Sequence, residues 1–405
     1  MNVLFVVPYV PSRVRVRPYQ LVRALAARGH RVTLLALWAT ENERLELDEL
    51  RDACAAVSAV HLPRGRSWMN CLAALPTRVP LQAAYSWHPG LARQAERLAQ
   101  EADVVHVEHL RGSAYALRIR DHLHRSGRAV PVVWDSVDCI SLLFQQVNQH
   151  ALGAARAAIT RLELARTQRF EARLVTSFAR TLATSGTDAQ ALIALAGGGS
   201  LPAPVTVLPN GVDLDYFRPV NGSQRQAATL VMTGKMSYHA NIAMATGFVR
   251  DVLPAIRRRV PEVRLWLVGK DPPAEVRALG QHPGVTVTGT VPDLRPYLQQ
   301  AELALAPVPY GVGIQNKVLE AMACGTPVVA SPQAISALEA IDGRDVVVAE
   351  SPVAIADAVV RLLGDEARRL ALGSAGRRYV EAHHDWSAIV SRLEEIYHEV
   401  ICPGV

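Results

Sequence analysis

Short apolar runs alternate with helical stretches along this chain, and that alternation restricts its fold more than any other feature. In the first half "NVLFVVPYV" reads as a continuous buried strand. "RPYQLVRALAARGH" has the apolar spacing of a helix ending at Gly29, and "RVTLLALW" is the next strand. "DVVHVEHL" and "AVPVVWDSVD" follow, separated by the helical "GSAYALRIRDHLHRSG". A long arginine-rich amphipathic helix is expected from Ala151 to about Ala179, then the strand "RTLATS". The scheme then restarts with "ATLVMTGKMS", the helix "ANIAMATGFVRDVLPAIRRRV", and "VRLWLVGKD", "GVTVTGTV", "AELALAPVPYG" and "TPVVASP" as strands that feed loops. Apolar runs flanked by Gly and Pro in this way fit parallel sheets covered on both faces.

No repeat with a period of roughly 20–50 residues appears, but two α/β halves of about equal length do. "VLPNGVDLDYFRPVNGSQRQ", rich in Pro, Gly and Asn, separates them. The expected organisation is a first domain over 1–205, a linker over 206–224 and a second domain over 225–382. A C-terminal helix over 383–405 would be able to pack back on the first domain. In open α/β sheets ligands sit beyond the carboxyl ends of the strands, so the strand-end loops are where chemistry is expected.

At 405 residues the chain has room for two domains with separate cores. Hydrophobic residues make up 50% and charged residues 20%, which excludes a disordered chain. The opening "MNVLFVVPYV" has no basic region and stops at Pro8, so it reads as a strand and not as a signal peptide. No apolar stretch approaches the ~20 residues of a membrane span. A cytoplasmic location is expected, with room for peripheral contact at the inner face of the membrane. Five cysteines (Cys54, Cys71, Cys139, Cys324, Cys402) are scattered without a Cys-x-x-Cys pair, which argues against a disulfide framework or a zinc site. Residues 1–205 hold 24 arginines against 16 acids, whereas residues 206–405 hold 19 basic residues against 21 acids. The first-half excess favours an anionic partner such as a phosphate or a membrane surface. Nucleic acid is not expected, because the arginines are spread out with little aromatic interleaving and no nucleic-acid-binding signature.

Arginine supplies 40 of the 43 cations, so the three lysines stand out. Lys235 follows "LVMTG", Lys270 follows "LWLVG", and Lys317 comes just after the loop that follows "LALAPVPYG". All three are expected on one rim of the second domain, where a compact charge on a flexible stem suits a phosphate oxygen. "GVGIQN" ahead of "KVLEAMACG" has small residues that let backbone N–H groups approach a ligand, at the start of a helix suited to a diphosphate. Glu320, near the first turn, offers two oxygens to the paired hydroxyls of a ribose. Lys317, three residues earlier on roughly the same face, would pair with phosphate.

"GIQNKVLEAMACGTPVVAS" resembles the donor-binding signature of the retaining family 4 glycosyltransferases of the GT-B fold. The resemblance continues through "VLPNGVDLDYFRP", "LVMTGKMSYHANI", "RLWLVGKDP", "GVTVTGTVPDLRPYLQQAELALAPV" and "RRYVEAHHDWSAIVSRLEEIY", in the order that family shows. It reaches the first half more weakly through "GHRVTLL" and "DVVHVEH", and its pattern is most similar to sugar transferases of bacterial polysaccharide assembly. It implies two Rossmann-like, doubly wound α/β domains with a cleft between them. The implied reaction moves a sugar with retention from a nucleotide diphosphate sugar, UDP ahead of GDP, to an acceptor hydroxyl. The implied acceptor is a sugar, a lipid-linked molecule or a small molecule, held by the first domain. No metal or other cofactor is expected: no Asp-x-Asp is placed to hold one, since "DLD" at 213–215 falls in the linker.

The family's Glu-x7-Glu motif is half present: Glu320 matches its second acid, and Val312 stands where the first belongs. Its Arg…Lys pair is altered as well, with Lys235 in the Arg position and Ala240 in the Lys position. The candidate donor-binding set is Gly234, Lys235, Lys270, Val291, Gly313, Ile314, Gln315, Asn316, Lys317 and Glu320. Lys317 doubles as a candidate catalytic cation for the leaving diphosphate. In the family's Asp-x-x-His-x-His pattern this chain has Asp103, His106 and then Glu108, with His109 one residue late. Glu108 and His109 are the candidates to orient the sugar or handle the acceptor proton. Arg13, Arg15 and Arg17 replace the family's glycine-rich first loop and are the candidate acceptor-binding residues. "RGRSWMNCLAALPTR" and the arginine-rich stretch from Arg156 to Arg180 could rest on an anionic membrane. Two other readings stay open: another enzyme of the same fold, an epimerase or phosphorylase, and a catalytically degenerate nucleotide-sugar-binding subunit.

Overall fold

A computed structural model describes residues 1–149, 154–199, 201, 203–220, 225–311 and 313–402, with side chains described outside 147–159. The chain forms two compact units. Unit 1 is Met1–Pro209 together with the chain from Trp386 onward, and unit 2 is Asn210–Asp385.

Unit 1 is built on seven parallel strands: β1 (Asn2–Val7), β2 (Arg31–Trp38), β3 (Ala56–His61), β4 (Val104–Glu108), β5 (Val132–Val137), β6 (Arg180–Ala183) and β7 (Val205–Val207), in the order β3-β2-β1-β4-β5-β6-β7. β1 and β4 are central and almost wholly buried, which is why they read as unbroken apolar runs. The strand order reverses between them, so their carboxyl ends open the crevice where such sheets bind ligands. Four helices matter for that end of the sheet: α1 (Val16–Ala27), α2 (Arg64–Ala74), the short α3 (Leu81–Tyr85) and α4 (Ser113–Arg125). The arginine-rich helix spans Ala154–Val175; its expected start at Ala151 lies outside the described residues.

Unit 2 repeats the plan with six parallel strands, β8 (Gln226–Thr233), β9 (Arg264–Val268), β10 (Val285–Gly289), β11 (Ala301–Ala306), β12 (Val328–Ala330) and β13 (Val347–Val348), ordered β10-β9-β8-β11-β12-β13. Here the reversal falls between β8 and β11. Helix α5 (His239–Gly247) leaves β8, and α6 (Asn316–Ala323) leaves the loop after β11. Past α5 the helical path continues through a π turn, Phe248–Val252, into Leu253–Arg257. Pro254 accounts for that turn: it has no N–H to give, and its ring would crowd the carbonyl one turn earlier. Helix α7 (Glu366–His383) closes unit 2, and α8 (Trp386–Ile401) belongs to unit 1, where it packs beside α1.

The stretch expected to link the domains is largely structured. Val205–Val207 forms β7, Val212 is buried and bridges to Asp385, and Phe217 packs against the unit 2 core. The crossing falls at Pro209–Asn210, and 221–224 lie outside the described residues.

Candidate functional site

In unit 2 the strands β8, β9 and β10 run into glycines with positive φ: Gly234 (145°), Gly269 (152°) and Gly289 (70°). Glycine is required at Gly269, because a Cβ there would lie 1.8 Å from the Gly234 carbonyl oxygen. The Gly234 N–H donates to Val268 O (3.1 Å) and the Met236 N–H to Lys270 O (2.8 Å), which places Lys235 and Lys270 on adjacent strand ends. Both lysines are exposed, and neither side chain has a hydrogen bond or ion pair among the described residues.

Helix α6 starts after Gly313, which takes φ 67°, and after Ile314, which is buried. Its N-cap Gln315 makes no capping side-chain bond; the Val318 N–H is taken by Gln315 O (2.9 Å), and the Asn316 and Lys317 N–H groups ahead of it have no partner within the helix. The Lys317 ammonium donates to Asn241 Oδ1, and Asn241 Nδ2 donates to the Lys235 carbonyl (2.9 Å). One amide therefore ties the start of α6 to the loop after β8. Burial pulls Lys317 down to about 8, with Glu320 opposing, and pushes Glu320 up to about 7, with Lys317 opposing. The Glu320 carboxylate has no hydrogen bond among the described residues. Asn316 Oδ1 accepts from Asn210 Nδ2 at 3.5 Å, and Val291 is half-buried on the loop after β10. His239 and Tyr310 stack at 5.4 Å, with the Tyr310 hydroxyl 3.0 Å from His239 Nδ1.

Sequence reasoning missed Asn241, Tyr310 and His239. The signal for Asn241 stood one residue past Ala240, which is buried in the core; Asn241 is the side chain that reaches the strand-end loop. Val312 lies outside the described residues. A cavity of about 780 Å³ is at the opposite end of the unit 2 strands. Its arginines Arg225, Arg369 and Arg377 are already engaged by backbone carbonyls, Glu302 and Glu381.

In unit 1 the end of β4 carries Glu108, fully buried, with the Tyr9 hydroxyl donating to its Oε1 (2.7 Å) and its Oε2 unpartnered. Burial, reinforced by Asp135, pushes its carboxyl up to about 8, so at neutral pH it is largely protonated. His109 follows with φ 66°, a conformation that stores strain outside glycine. Its Nδ1 accepts the Arg111 N–H (3.2 Å), which leaves the ring proton on Nε2. Burial and then Arg111 pull it down to about 3. A protonated carboxyl and a neutral imidazole of such low basicity suit the binding of hydroxyls better than the abstraction of a proton.

The three arginines of the first loop do not act together. Arg17 is not available to an acceptor: it is buried, bonds Asp135 Oδ2 at 2.8 Å and donates to the carbonyls of Leu208 and Pro209. Burial alone would raise Asp135, but Arg17 and His106 outweigh it and hold the carboxyl well below the usual range. His106, stacked on Phe5 at 4.2 Å, accepts or donates at 2.8 Å with the Tyr397 hydroxyl of α8, so this network is structural. Arg13 is exposed and 3.7 Å from Glu49. Arg15 pairs with Glu43 at 3.2 Å and lies 4.7 Å over the Tyr9 ring, which in turn bonds Glu108 at the end of β4.

Two units of this topology, with phosphate-compatible loops at the carboxyl ends of the unit 2 strands, define a GT-B architecture. It is shared by sucrose-phosphate synthase from Thermosynechococcus elongatus (TM-score 0.70, 20% identity, 99% of each chain). HepE of Anabaena, solved with UDP and glucose, superposes with a TM-score of 0.67 at 15% identity over 98% of this chain and 100% of that one. A family model described as Glycosyltransferase Family 4 matches residues 14–216, and one described as Glycosyl transferases group 1 matches 227–365. The chain belongs to glycosyltransferase family 4. Among curated relatives, the phosphatidyl-myo-inositol mannosyltransferase of Mycobacterium tuberculosis is 29% identical over 220 residues, 51% of this chain and 57% of that protein. The chain thus spans little more than half the length of the first curated relatives it matches. The D-inositol 3-phosphate glycosyltransferase 1 of Catenulispora acidiphila is 27% identical over 76% of this chain and 75% of its own length.

Proposed function

We propose that this protein transfers a sugar, with retention of configuration, from a nucleoside diphosphate sugar bound by unit 2 to an acceptor hydroxyl bound by unit 1. The observation that carries this reading is the Lys317–Glu320 pair at the uncapped start of α6, tied through Asn241 to the Lys235 loop. The diphosphate would take the free N–H groups of α6 and the charge of Lys317, with Lys235 and Lys270 on the adjacent strand ends. An anion there favours the charged form of Lys317, which burial alone disfavours. The same cations would stabilise the leaving diphosphate as charge develops on it. Glu320, with both oxygens open, would accept from ribose hydroxyls. The names of its relatives include a GDP-mannose-dependent enzyme, and HepE was solved with UDP, so the base is left to experiment.

No helix among the described residues is long and apolar enough to cross a membrane. Helix α2 offers a different contact. Trp68, Met69, Leu72 and the following Leu75 are 67%, 68%, 64% and 49% exposed, on one face flanked by Arg64, Arg66 and Arg78. No acidic residue occurs between Asp52 and Glu96. That combination of apolar side chains and uncompensated cations fits an anionic bilayer surface, and with it a lipid-borne acceptor.

The test of the donor site is thermal unfolding with UDP, GDP and ADP on wild type and Glu320→Ala. A ligand at ~100 times its Kd adds about 2.7 kcal/mol, enough to move the midpoint. The expected result is a shift with one nucleotide in the wild type that is lost in the variant. No shift with any of the three would defeat the reading.

A further inference from the structure

Arg111 lies on the turn between β4 and α4, and no anion among the described residues pairs with its cation. Its guanidinium makes no hydrogen bond or ion pair among the described residues; Nε is buried without a partner, and the group lies 5.1 Å from the centre of the Tyr85 ring. The charged or ionisable groups that act on it are Tyr85, Tyr9, Arg15 and Cys71, with no carboxylate among them, and burial depresses its basicity. Arg111 is half-buried, and a cation drawn even partly from water without a counter-charge is costly to keep. Two further features flank it in the chain. Glu108, three residues earlier, has an oxygen that is buried and unpartnered. Helix α4 begins two residues later with no side-chain cap and no acid in its first turn; the Ser113 N–H is taken by Leu110 O, and the positive end of the helix lies at the same turn.

We propose that Arg111, assisted by Arg15 and the positive end of α4, seats a phosphate group of the acceptor, beside Glu108 as the partner of a hydroxyl on the same molecule. This deepens the glycosyltransferase reading and rests on it. The shared chemistry is a phosphate ester on a polyol, which either a soluble sugar phosphate or a phospholipid headgroup supplies. Both routes are open to the site: Asn70 of α2 donates to the carbonyls of Tyr85 and Trp87, so the exposed face of α2 is anchored to the same segment as Tyr85.

The test uses the full chain saturated with whichever nucleoside diphosphate it binds, so that phosphate positions in unit 2 are filled. Two probes are titrated separately: glycerol 3-phosphate, and phosphatidylcholine vesicles with or without phosphatidylglycerol. Wild type is compared with Arg111→Gln and Arg111→Lys. One of the two probes should bind, about tenfold or more weakly to the Gln variant, as for a lost charge-assisted hydrogen bond, with part of the affinity recovered in the Lys variant. Without ligand, the melting midpoint of Arg111→Gln should hold or rise, since a cation without a counter-anion among the described residues has been removed. Binding of glycerol 3-phosphate assigns a soluble phosphate, and selective binding of the phosphatidylglycerol vesicles assigns a lipid headgroup. The proposal is overturned if neither probe binds wild type, if the Gln variant binds equally well, or if it melts lower with affinity unchanged, which would make Arg111 a structural residue. The nucleotide shift is read in the same samples, so a failure of the parent reading shows separately from a failure of this site.

Discussion

Glu108 shows how far burial moves a single group. Its carboxyl is pushed from 4.5 up to about 8, the opposite of the usual salt-bridged acid. Between those values the folded protein holds a proton that the unfolded chain has released, so stability falls as pH rises from 4.5 toward 8. Glu108→Gln keeps an oxygen for the Tyr9 hydroxyl and removes the titration. The variant should match wild type near pH 5 and exceed it near pH 8 by about 2–4 kcal/mol in chemical denaturation. Glu171 and Glu320, both raised to about 7, tilt the two profiles alike and cancel in the difference. Parallel profiles would mean that Glu108 is ionised throughout. Residues of this kind divide by how local their chemistry is. Lys317 and Glu320 could be singled out from the sequence because their pairing depends on three residues of spacing at a helix start. Arg17 was not, because what decides its role is Asp135, 118 positions away, and no local pattern distinguishes it from Arg15. Arg111 was missed for the same reason: only the fold reveals that no anion among the described residues pairs with it.

Among elements, the central strands were legible because burial on both faces writes them as apolar runs. The strands that escaped notice, β3, β7 and β13, all lie at sheet edges. β3 is half-exposed along its length and β13 has only two residues, so neither has an apolar run to show. Helix α2 is the reverse case, an apolar face that does not pack inward. Its side chains at Ser67 and Ala74 point into the fold, while Trp68, Met69 and Leu72 do not. Replacing Trp68 and Leu72 together by serine should abolish co-sedimentation with phosphatidylglycerol-containing vesicles. Stability should change by no more than about 0.5 kcal/mol per site, as at other surface positions. A variant that sediments as well as wild type would remove the membrane from the account. One that unfolds would show that the face is covered by protein.

At the scale of the whole molecule, the chain leaves unit 1 at Pro209, builds unit 2, and returns at Trp386 to complete the unit it left. The return completes the core of unit 1. Helix α8 buries Trp386, Ile389, Val390, Leu393, Ile396 and Tyr397 against the sheet and α1. At ~1.5–3 kcal/mol for each large apolar side chain, these six contribute on the order of 10 kcal/mol, as much as the entire net stability of an ordinary domain. Polar contacts fix its register: Arg28 and His30 hold Glu394, Arg180 holds Glu399, and the Tyr397 hydroxyl reaches the buried His106. Unit 2 has a hydrophobic core of its own that α8 does not enter. Ending the chain at Asp385 should therefore unfold unit 1 and spare unit 2. Hydrogen exchange would show this as lost protection in β1 and β4, with protection kept in β8 and β11 and still increased by the nucleotide that stabilises the full chain. If β1 stays protected in the truncated chain, α8 is an accessory. If β8 and β11 open as well, the two units fold as one, and a returning helix is then holding up both halves of the protein.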